Sequence, residues 1–430
     1  MSYTTVFNIC DFGAVPDGKT LCTDAFKAAI GKCREAGGGT VYVPAGRFLT
    51  GAIHLESNTN LHIDAGAVLL FSQNPDDYPL VYSRWEGEEG EVYSPLIYGE
   101  NVENVSITGH GTLDGQGEPW WRLHKERKLK YPRPRFICFQ ESERVLIEGV
   151  KITNSPAWTI NPVRCNNVTI DGITIKNPAD SPNTDGINPD SCRNVRISNC
   201  YISVGDDCIA IKSGVEYSKY RIPCENISIT NCTMLDGHGG VVIGSEMSGS
   251  VRNITISNCV FEGTDRGIRI KSRRGRGGVV EDVRVNNIIM KKVMCPLVMN
   301  LYYFCGKGGK DDIVKDKNPH PLNEGTPAFR RIHLSNVTAR EAGVCAGFFY
   351  GLPEMPIEDI SFHNVYIHMA EDAKPDTPAM MDDLEPMRKR GIYLNYVKDA
   401  TFSSVKITGH EGKTFTVENC EGVKLIDCTE

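Results

Sequence analysis

The sequence predicts an all-β fold, a parallel solenoid in which one short strand recurs on successive coils. A pattern of alternating β-branched and polar residues that closes on a turn residue occurs eleven times, and gaps of 23 to 49 residues separate the starts. A constant strand with variable insertions is typical of a β-solenoid. The intervening segments lack the helical periodicity of leucine-rich repeats, and most are too short for a propeller blade of about 40 residues. The pattern starts at Val105, Val145, Val168, Val195, Ile227, Ile254, Val283, Ile332, Ile360, Ala400 and Val423.

The composition excludes several classes of protein. With 40% hydrophobic and 23% charged residues, the 430-residue chain can build a core and is not expected to be disordered. Its longest apolar stretches, such as Ala65–Phe71, are too short to cross a bilayer. A net charge of −7 argues against a nucleic-acid partner. No membrane partner is expected, and the oligomeric state does not follow from the sequence.

The sixteen cysteines are predicted to be free thiols. No C-x-x-C pair and no Cys/His cluster at zinc spacing occurs, so no metal site of that kind is expected. The first residues, Met1–Val6, lack the basic and apolar regions of a secretory signal. We therefore expect a cytoplasmic protein with reduced cysteines, although a secreted chain trimmed of its signal would look the same.

Two residue types recur at the turn that ends the repeated strand. An Asn there tolerates the left-handed backbone conformation and can bond a neighbouring coil. A Cys beside it is expected to point into the coil. The predicted Asn column is Asn199, Asn231, Asn258, Asn287, Asn336 and Asn364, and the predicted Cys column is Cys200, Cys232, Cys259 and Cys428.

The chain is predicted to form a single domain over residues 1–430. Residues 1–70 form a cap and the first coils, in which Thr23 begins a capped amphipathic helix that ends at Gly37-Gly38-Gly39. Residues 71–135 carry long aromatic and charged insertions, among them Trp120 and Trp121, which could stack on sugar rings or pack in the core. Residues 136–430 form regular coils, with exposed insertions predicted at 305–328 and 369–390.

Aligning three coils on their starts at 195, 227 and 254 brings polar residues into register. Asp206, His238 and Asp265 each lie 11 residues beyond the start. The preceding coil adds Thr184-Asp185-Gly186, which sets Asp185 over Asp207. Because neighbouring strands lie about 4.8 Å apart, Asp185, Asp206, Asp207 and His238 are predicted to cluster on adjacent coils.

Strand parity predicts which side chains leave the core. Asp206, Arg269 and Lys271 alternate with buried aliphatic residues and point outward. Asp185 and Asp207 require a bend near Gly186 and Cys208, because burying two carboxylates is too costly. Repulsion within the cluster should raise the pKa of at least one carboxyl group. Such a cluster suits glycoside hydrolysis; a calcium site or a solvated acidic edge is the alternative.

A basic stretch follows on the next coil. It carries six cations in eleven residues of an acidic protein, and an Arg fork beside an ammonium suits a substrate carboxylate. The register favours this role for Arg269 and Lys271, whereas Arg273–Arg276 are expected to form a basic loop without a ligand. The six are Arg266, Arg269, Lys271, Arg273, Arg274 and Arg276.

These residues resemble the polygalacturonases of glycoside hydrolase family 28. The matching motifs are Asn183-Thr184-Asp185, Gly205-Asp206-Asp207, Gly237-His238-Gly239 and Arg269-Ile270-Lys271, and with Asp11-Phe12-Gly13-Ala14 and the repeat the likeness covers nearly the whole chain. The resemblance implies a right-handed parallel β-helix that hydrolyses α-1,4-linked galacturonate with inversion. It implies no metal and no organic cofactor.

The resemblance also implies a role for each motif residue. Asp206 is then the general acid, Asp185 and Asp207 hold and activate the water, and His238 supports protonation of the acid. Arg269 and Lys271 bind a galacturonate carboxylate, and Asn183 contributes to substrate binding. A substrate tyrosine is expected one coil later, at Tyr303 or alternatively at Tyr302.

Endo or exo action depends on the insertions at Ser72–Ser94 and Gly115–Arg135. If they wall off one end of the groove, the enzyme removes galacturonate from short oligomers, and the likeness to bacterial exo-type members favours this. Endo action remains open, as does a rhamnogalacturonan hydrolase, against which the Arg-x-Lys pair counts. A calcium-dependent pectate lyase and a non-catalytic carbohydrate-binding solenoid are the alternatives from other classes.

Overall fold

The computed structural model describes residues 5–429 and divides into two compact units, Met1–Asp206 and Asp207–Glu430. In each unit the strands pair in parallel with the strands of the coils before and after, apart from one antiparallel hairpin. The predicted all-β, right-handed parallel β-helix is confirmed. Among the described residues, no helix is long and apolar enough to cross a membrane. The single domain over residues 1–430 stays a prediction.

The first unit holds nineteen strands among its described residues, along with two α-helices, α1 (Thr23–Glu35) and α2 (Glu118–Lys125). Two single turns of 3₁₀-helix, Ile9–Phe12 and Pro75–Asp77, complete it. The strands are β1 (Val6–Asn8), β2 (Asp17–Leu21), β3 (Gly39–Val43), β4 (Gly46–Thr50), β5 (Ile53–His54), β6 (Thr59–Ile63), β7 (Ala67–Phe71), β8 (Leu80–Trp85), β9 (Glu88–Tyr93), β10 (Ile97–Glu100), β11 (Glu103–Gly109), β12 (Thr112–Asp114), β13 (Ile137–Gln140), β14 (Glu143–Glu148), β15 (Lys151–Thr153), β16 (Asn166–Asp171), β17 (Thr174–Lys176), β18 (Arg193–Ser198) and β19 (Tyr201–Val204).

The repeated strand of the first unit stacks in the register that the sequence predicts. Val105 on β11 pairs with Val145 on β14, which pairs with Val168 on β16, which pairs with Val195 on β18. All four side chains are buried. Burying one valine contributes about 1.5–3 kcal/mol, so the aliphatic column fixes the register.

Helix α1 covers the first coils, as predicted, with Phe26, Ile30 and Cys33 buried beneath it. The helix begins at Thr23, as predicted, but it lacks the predicted side-chain cap. Cys22 occupies the N-cap without a side-chain bond, and the Thr23 hydroxyl instead accepts a hydrogen bond from the Gly51 backbone N–H at 2.7 Å, which ties the helix to the end of β4. Three glycines end the helix region; a Cβ on Gly39, at φ +155, would lie 2.4 Å from a backbone oxygen.

The insertions of the first unit are ordered. Strands β8 and β9 form the antiparallel hairpin, and α2 follows β12. Trp120 on α2 is 1% exposed and meets Tyr78 and Tyr93 edge to face, so it packs in the core rather than offering a sugar platform. Trp121 donates its indole N–H to the Ser155 carbonyl at 2.9 Å.

The second unit holds fifteen strands among its described residues and one short helix, α3 (Asp312–Lys315). The strands are β20 (Asp207–Ile211), β21 (Cys224–Thr230), β22 (Thr233–Asp236), β23 (Gly239–Ile243), β24 (Val251–Glu262), β25 (Arg266–Lys271), β26 (Val279–Lys291), β27 (Cys295–Asn300), β28 (Ala328–Ala342), β29 (Cys345–Tyr350), β30 (Ile357–Met369), β31 (Arg390–Asn395), β32 (Val397–Thr408), β33 (Phe415–Glu418) and β34 (Lys424–Ile426).

Two parallel sheets organise this unit. The repeated strand stacks through β21, β24, β26, β28, β30 and β32, again in the predicted register, from Ile227 opposite Ile254 to Ile360 opposite Ala400. A second sheet, here called the seven-stranded sheet, runs in the order β20, β23, β25, β27, β29, β31 and β33. It carries Asp207 on β20 and Arg269 and Lys271 on β25, three of the candidate site residues.

The Asn and Cys columns follow from the same register. All six predicted asparagines have φ between +52° and +57°, and side-chain amides join some of them, as from Asn287 to Asn258 at 2.8 Å. The sixteen cysteines are free. Cys200, Cys232 and Cys259 are buried, whereas Cys428, in the last coil, is half-exposed. The cytoplasmic location stays a prediction.

The exposure predicted for the two late insertions is only partly correct. Within 305–328, Val314 on α3 is buried. Within 369–390, Pro378, Ala379 and Met381 are buried although charged residues surround them in sequence. The average polarity of an insertion does not determine the burial of each of its residues, because apolar residues within it can still pack against the coil beneath.

Candidate active site

Two carboxylates lie at the ends of the last coils of the first unit. Asp185 lies between β17 and β18 and is buried, and its Oδ2 accepts a hydrogen bond from the Asn188 amide at 2.9 Å. Asp206 follows β19 and is half-buried. An oxygen of Asp185 and an oxygen of Asp206 lie within 4.8 Å of each other. The predicted proximity of these two residues is therefore present in the structure.

A buried arginine from the insertion bonds the segment just before Asp185. Arg133 donates from Nη2 to Asn183 Oδ1 at 2.6 Å and from Nη1 to the Pro182 carbonyl at 2.6 Å. Asn183, at φ +51, turns its amide to Asp206 Oδ2 at 3.5 Å. Burial lowers the pKa of Arg133 to about 10, while Asp185 and Asp206 act in the opposite direction, so it remains a cation at neutral pH. No role for Arg133 was predicted from the sequence; its place in a long insertion was the available signal.

The second unit begins with Asp207, whose carboxylate meets two cations of the seven-stranded sheet. Lys271 Nζ donates to Asp207 Oδ2 at 2.9 Å, and Arg269 Nη1 lies 3.7 Å from Oδ1. Burial alone would raise the pKa of Asp207, but Lys271 and Arg269 outweigh it and lower the pKa to about 2. That at least one carboxyl group of the cluster has a raised pKa stays a prediction; Asp207 is not that group, because Lys271 and Arg269 lie against it.

Arg269 and Lys271 project from the outward side of β25, as parity predicts. They alternate with Ile268 and Ile270, which are buried in the core. The Tyr303 ring lies 5.7 Å from the Arg269 guanidinium carbon and 5.1 Å from Lys271 Nζ. We call Arg269, Lys271 and Tyr303 the clamp. Burial raises the pKa of Tyr303, so its hydroxyl stays protonated.

Tyr302, the alternative substrate tyrosine, lies elsewhere. It is 1% exposed, and its ring meets Tyr350 edge to face with Lys317 Nζ 3.9 Å from its centroid. The neighbours of its ring are Tyr350 on β29, Lys317 in the 305–328 insertion and Arg274 just after β25. The geometry favours Tyr303 as the tyrosine of the clamp.

His238 occupies the turn between β22 and β23 and is exposed. Asp207 pairs with Gly239. His238, the residue before Gly239, therefore aligns with Asp206, the residue before Asp207, as the alignment of the coils predicts. The pairing of Val241 with Ile268 continues this register into β25. An exposed imidazole beside a carboxylate site can exchange protons with solvent.

The rest of the basic stretch has structural partners. Arg273 and Arg276 bond the two carboxylate oxygens of Glu216, and Arg274 forms a two-point ion pair with Glu354. That this stretch binds no ligand stays a prediction; the three arginines are buried rather than solvated. They fix the chain that follows the clamp.

The site residues suit acid–base chemistry on an anionic ligand. Carboxylate oxygens are ligands for hard cations, but Lys271 and Arg269 already neutralise Asp207, so its charge is not available to a metal. A guanidinium and an ammonium over a tyrosine ring match a sugar carboxylate and the face of its ring. The carboxyl groups supply the acid and the base that glycoside hydrolysis needs.

Comparison with protein families gives one match over most of the chain. The model described as glycosyl hydrolases family 28 matches residues 33–317, which include every site residue named above. A probable polygalacturonase from Vitis vinifera is 39% identical over 379 residues, covering 85% of this chain and 75% of that protein.

Further relatives include both modes of action. An endo-polygalacturonase from Pectobacterium carotovorum subsp. carotovorum is 35% identical over 300 residues, covering 66% of this chain and 73% of that protein. The crystal structure of a hyperthermoactive exopolygalacturonase from Thermotoga maritima superposes with a TM-score of 0.77 at 33% identity, covering 93% of this chain and 91% of that one.

Proposed function

Because the chain belongs to glycoside hydrolase family 28, we propose that it is an inverting, exo-acting galacturonosidase. The family is one of glycosidases, and membership implies a polygalacturonate substrate. The lyase and the non-catalytic solenoid are thereby set aside. The proposed reaction adds water across an α-1,4-galacturonosidic bond, releases galacturonate and uses no metal or organic cofactor.

The ion pair between Lys271 and Asp207 is the observation that carries the proposal. A carboxyl group with a pKa of about 2 is ionised at every pH at which the protein is expected to work, so it acts as a base and not as an acid. In the proposed mechanism Asp207 and Asp185 hold and activate the water. Asp206 then protonates the leaving oxygen, and His238 returns a proton to Asp206 after each turnover.

The clamp supports the choice of substrate. Lys271 donates to Asp207 Oδ2, and its ammonium charge also attracts a galacturonate carboxylate. Arg269 lies beside it and offers planar donors, and Tyr303 supplies an aromatic face. A neutral sugar or a methyl ester would leave both cations without an anion from the ligand. Charge recognition at the clamp therefore favours galacturonate over rhamnogalacturonan.

The ordered insertions of the first unit support exo action. Arg84 on β8 is buried and bonds Glu89 on β9 and Asp190, five residues beyond Asp185. Trp85 stacks on Trp158 with ring centroids 4.6 Å apart. Buried ion pairs and stacked rings make the hairpin a fixed part of the coil that carries Asp185. A fixed wall next to a catalytic carboxylate limits the sugars that can lie beyond it.

Product analysis over time on polygalacturonate and trigalacturonate tests the proposal. We expect monomeric galacturonate as the sole early product from both substrates. A ladder of oligomers at early times would show endo action instead. Unsaturated products and loss of activity in chelator would contradict hydrolysis altogether.

A further inference from the structure

A chain of buried polar side chains leads through the first unit to Asp185. Arg135, two residues before β13, is 1% exposed and donates from Nη1 to Asn161 Oδ1 at 2.8 Å. Asn161 is fully buried and donates from Nδ2 to the Asn188 carbonyl oxygen at 2.6 Å. The side-chain amide of Asn188 in turn donates to Asp185 Oδ2 at 2.9 Å. Three hydrogen bonds therefore connect Arg135 to a proposed catalytic carboxylate across three neighbouring coils.

Both ends of this chain are fixed by further hydrogen bonds. At its beginning, Ser83 Oγ on β8 accepts from Arg135 Nη2 at 2.7 Å and donates to Gln140 Oε1 at 2.6 Å. At its end, the Asn188 backbone N–H donates to the Ile160 carbonyl at 2.7 Å. Asn188 is thus held by its backbone donor and by its backbone acceptor, and its side chain is directed at the carboxylate.

Stability alone does not account for Arg135. Its side-chain acceptors, Asn161 and Ser83, are both neutral, and no carboxylate of the described residues lies within ion-pair distance of it. Burying a cation without an opposite charge costs free energy, and an apolar side chain of similar size would avoid that cost. A guanidinium offers planar donors that fix two acceptors at once, which an apolar side chain cannot do. The arrangement therefore favours a role in orienting Asn161.

We propose that Arg135 and Asn161 are positioning residues, which act through Asn188 to hold Oδ2 of Asp185 in place for the water it activates. This inference rests on the proposed function, which assigns that role to Asp185. Buried hydrogen bonds in a chain polarise and orient one another, so fixing the first donor restricts the last one. A reacting group displaced by about 1 Å costs about 100-fold in rate. A break in the chain should therefore lower kcat, and KM should change little, because the chain holds the carboxylate rather than the sugar.

The first test is Asn161→Asp, which preserves the shape of the side chain. Its carboxylate still accepts from Arg135, whose charge keeps it ionised, but it has no N–H to donate to the Asn188 carbonyl. We expect kcat for trigalacturonate to fall by about 10- to 100-fold while KM changes by less than about threefold. Asn167→Asp on β16 is the matched control, because Asn167 Oδ1 also accepts from an arginine, Arg196, and both constants should keep their wild-type values.

A double-mutant cycle distinguishes positioning from a damaged fold. Asn188→Ala removes the last donor of the chain, so adding Asn161→Asp or Arg135→Met to it should lower kcat by less than about threefold more, although each change alone costs about 10- to 100-fold. Equal losses in the two backgrounds, or a wild-type kcat in Asn161→Asp, would overturn the positioning role and leave the proposed function standing. A wild-type protein that hydrolyses no galacturonide would overturn the proposed function and this inference with it.

Discussion

The Nζ atom of Lys271 lies 2.9 Å from Oδ2 of Asp207, although 64 residues separate them in sequence. One coil of the seven-stranded sheet lies between the strands that carry them. The lysine thus has two functions in the proposed mechanism. It keeps a buried carboxylate ionised, and its positive charge attracts the carboxylate of the substrate.

The pH dependence of activity should follow from this pair. In Lys271→Met the cation is lost while burial remains, so the pKa of Asp207 should rise and the acidic limb of kcat/KM should move to higher pH. Losing a charge-assisted hydrogen bond should also lower kcat/KM by about 100-fold at the optimum. Lys271→Arg, which keeps the charge, is the control and should leave the limb in place. If the acidic limb of kcat/KM stays at the same pH in Lys271→Met, a group other than Asp207 causes it.

The roles of the consecutive residues Asp206 and Asp207 can be separated by leaving-group chemistry. Asp206→Asn should lower kcat on trigalacturonate by about 10³-fold, because the leaving oxygen needs a proton. An aryl galacturonide with an acidic phenol needs little protonation, so the same variant should lose far less activity on it. Asp207→Asn should lose activity on both, since water activation is common to them. Equal losses in Asp206→Asn would contradict its role as the acid.

The stereochemistry of the product provides a further check. Inversion at an α-linkage releases β-galacturonate first, which ¹H NMR detects before mutarotation. The close approach of Asp185 and Asp206, within 4.8 Å between their nearest oxygens, is shorter than the roughly 6.5–9.5 Å typical of inverting pairs. We nevertheless expect the β-anomer, because the family resemblance and two carboxylates assigned to the water argue for direct displacement. An initial α-anomer would make one of the aspartates a nucleophile.

Arg133 should act as a positioning residue. Its guanidinium holds Asn183, which faces Asp206, so Arg133→Met should lower kcat by about 10- to 100-fold with a smaller change in KM. A double-mutant cycle with Asn183→Ala distinguishes positioning from general stability. If Arg133 acts through Asn183, the two losses should not add; additive losses would place its effect elsewhere.

Much of the fold can be predicted from the sequence, because the spacing of the repeat determines which residues of neighbouring strands pair. The β-branched starts set which strands pair, and each Asn at a turn marks a left-handed residue. The burial of Asp207 and the orientation of Lys271 could not be obtained this way. Both depend on the bend at the start of β20 and on side-chain torsions, which a column of aligned positions does not specify.

The burial of individual residues in the insertions could not be predicted from the sequence either. Average polarity predicted that residues 369–390 are exposed, yet Pro378 and Ala379 are buried. Composition describes a segment, whereas packing depends on what lies beneath it. The missing cap of α1 has a similar reason, since the bond from the Gly51 N–H to the Thr23 hydroxyl joins residues that a local capping rule does not consider.

The Asn column should be measurable as stability. Asn258 has φ +56, and its Oδ1 accepts the Asn287 amide at 2.8 Å. Asn258→Ala forces a Cβ residue without a polar side chain into the left-handed region, which costs about 1–2 kcal/mol, and it also removes the bond to the next coil. Asn258→Gly removes the bond but relieves the backbone cost, so it should be the more stable of the two by about 1 kcal/mol. Urea unfolding of the three proteins checks this order, and Ser257→Ala on the same turn is the matched control for a lost surface hydroxyl. An alanine variant as stable as the glycine variant would mean that the turn relaxes out of the left-handed conformation.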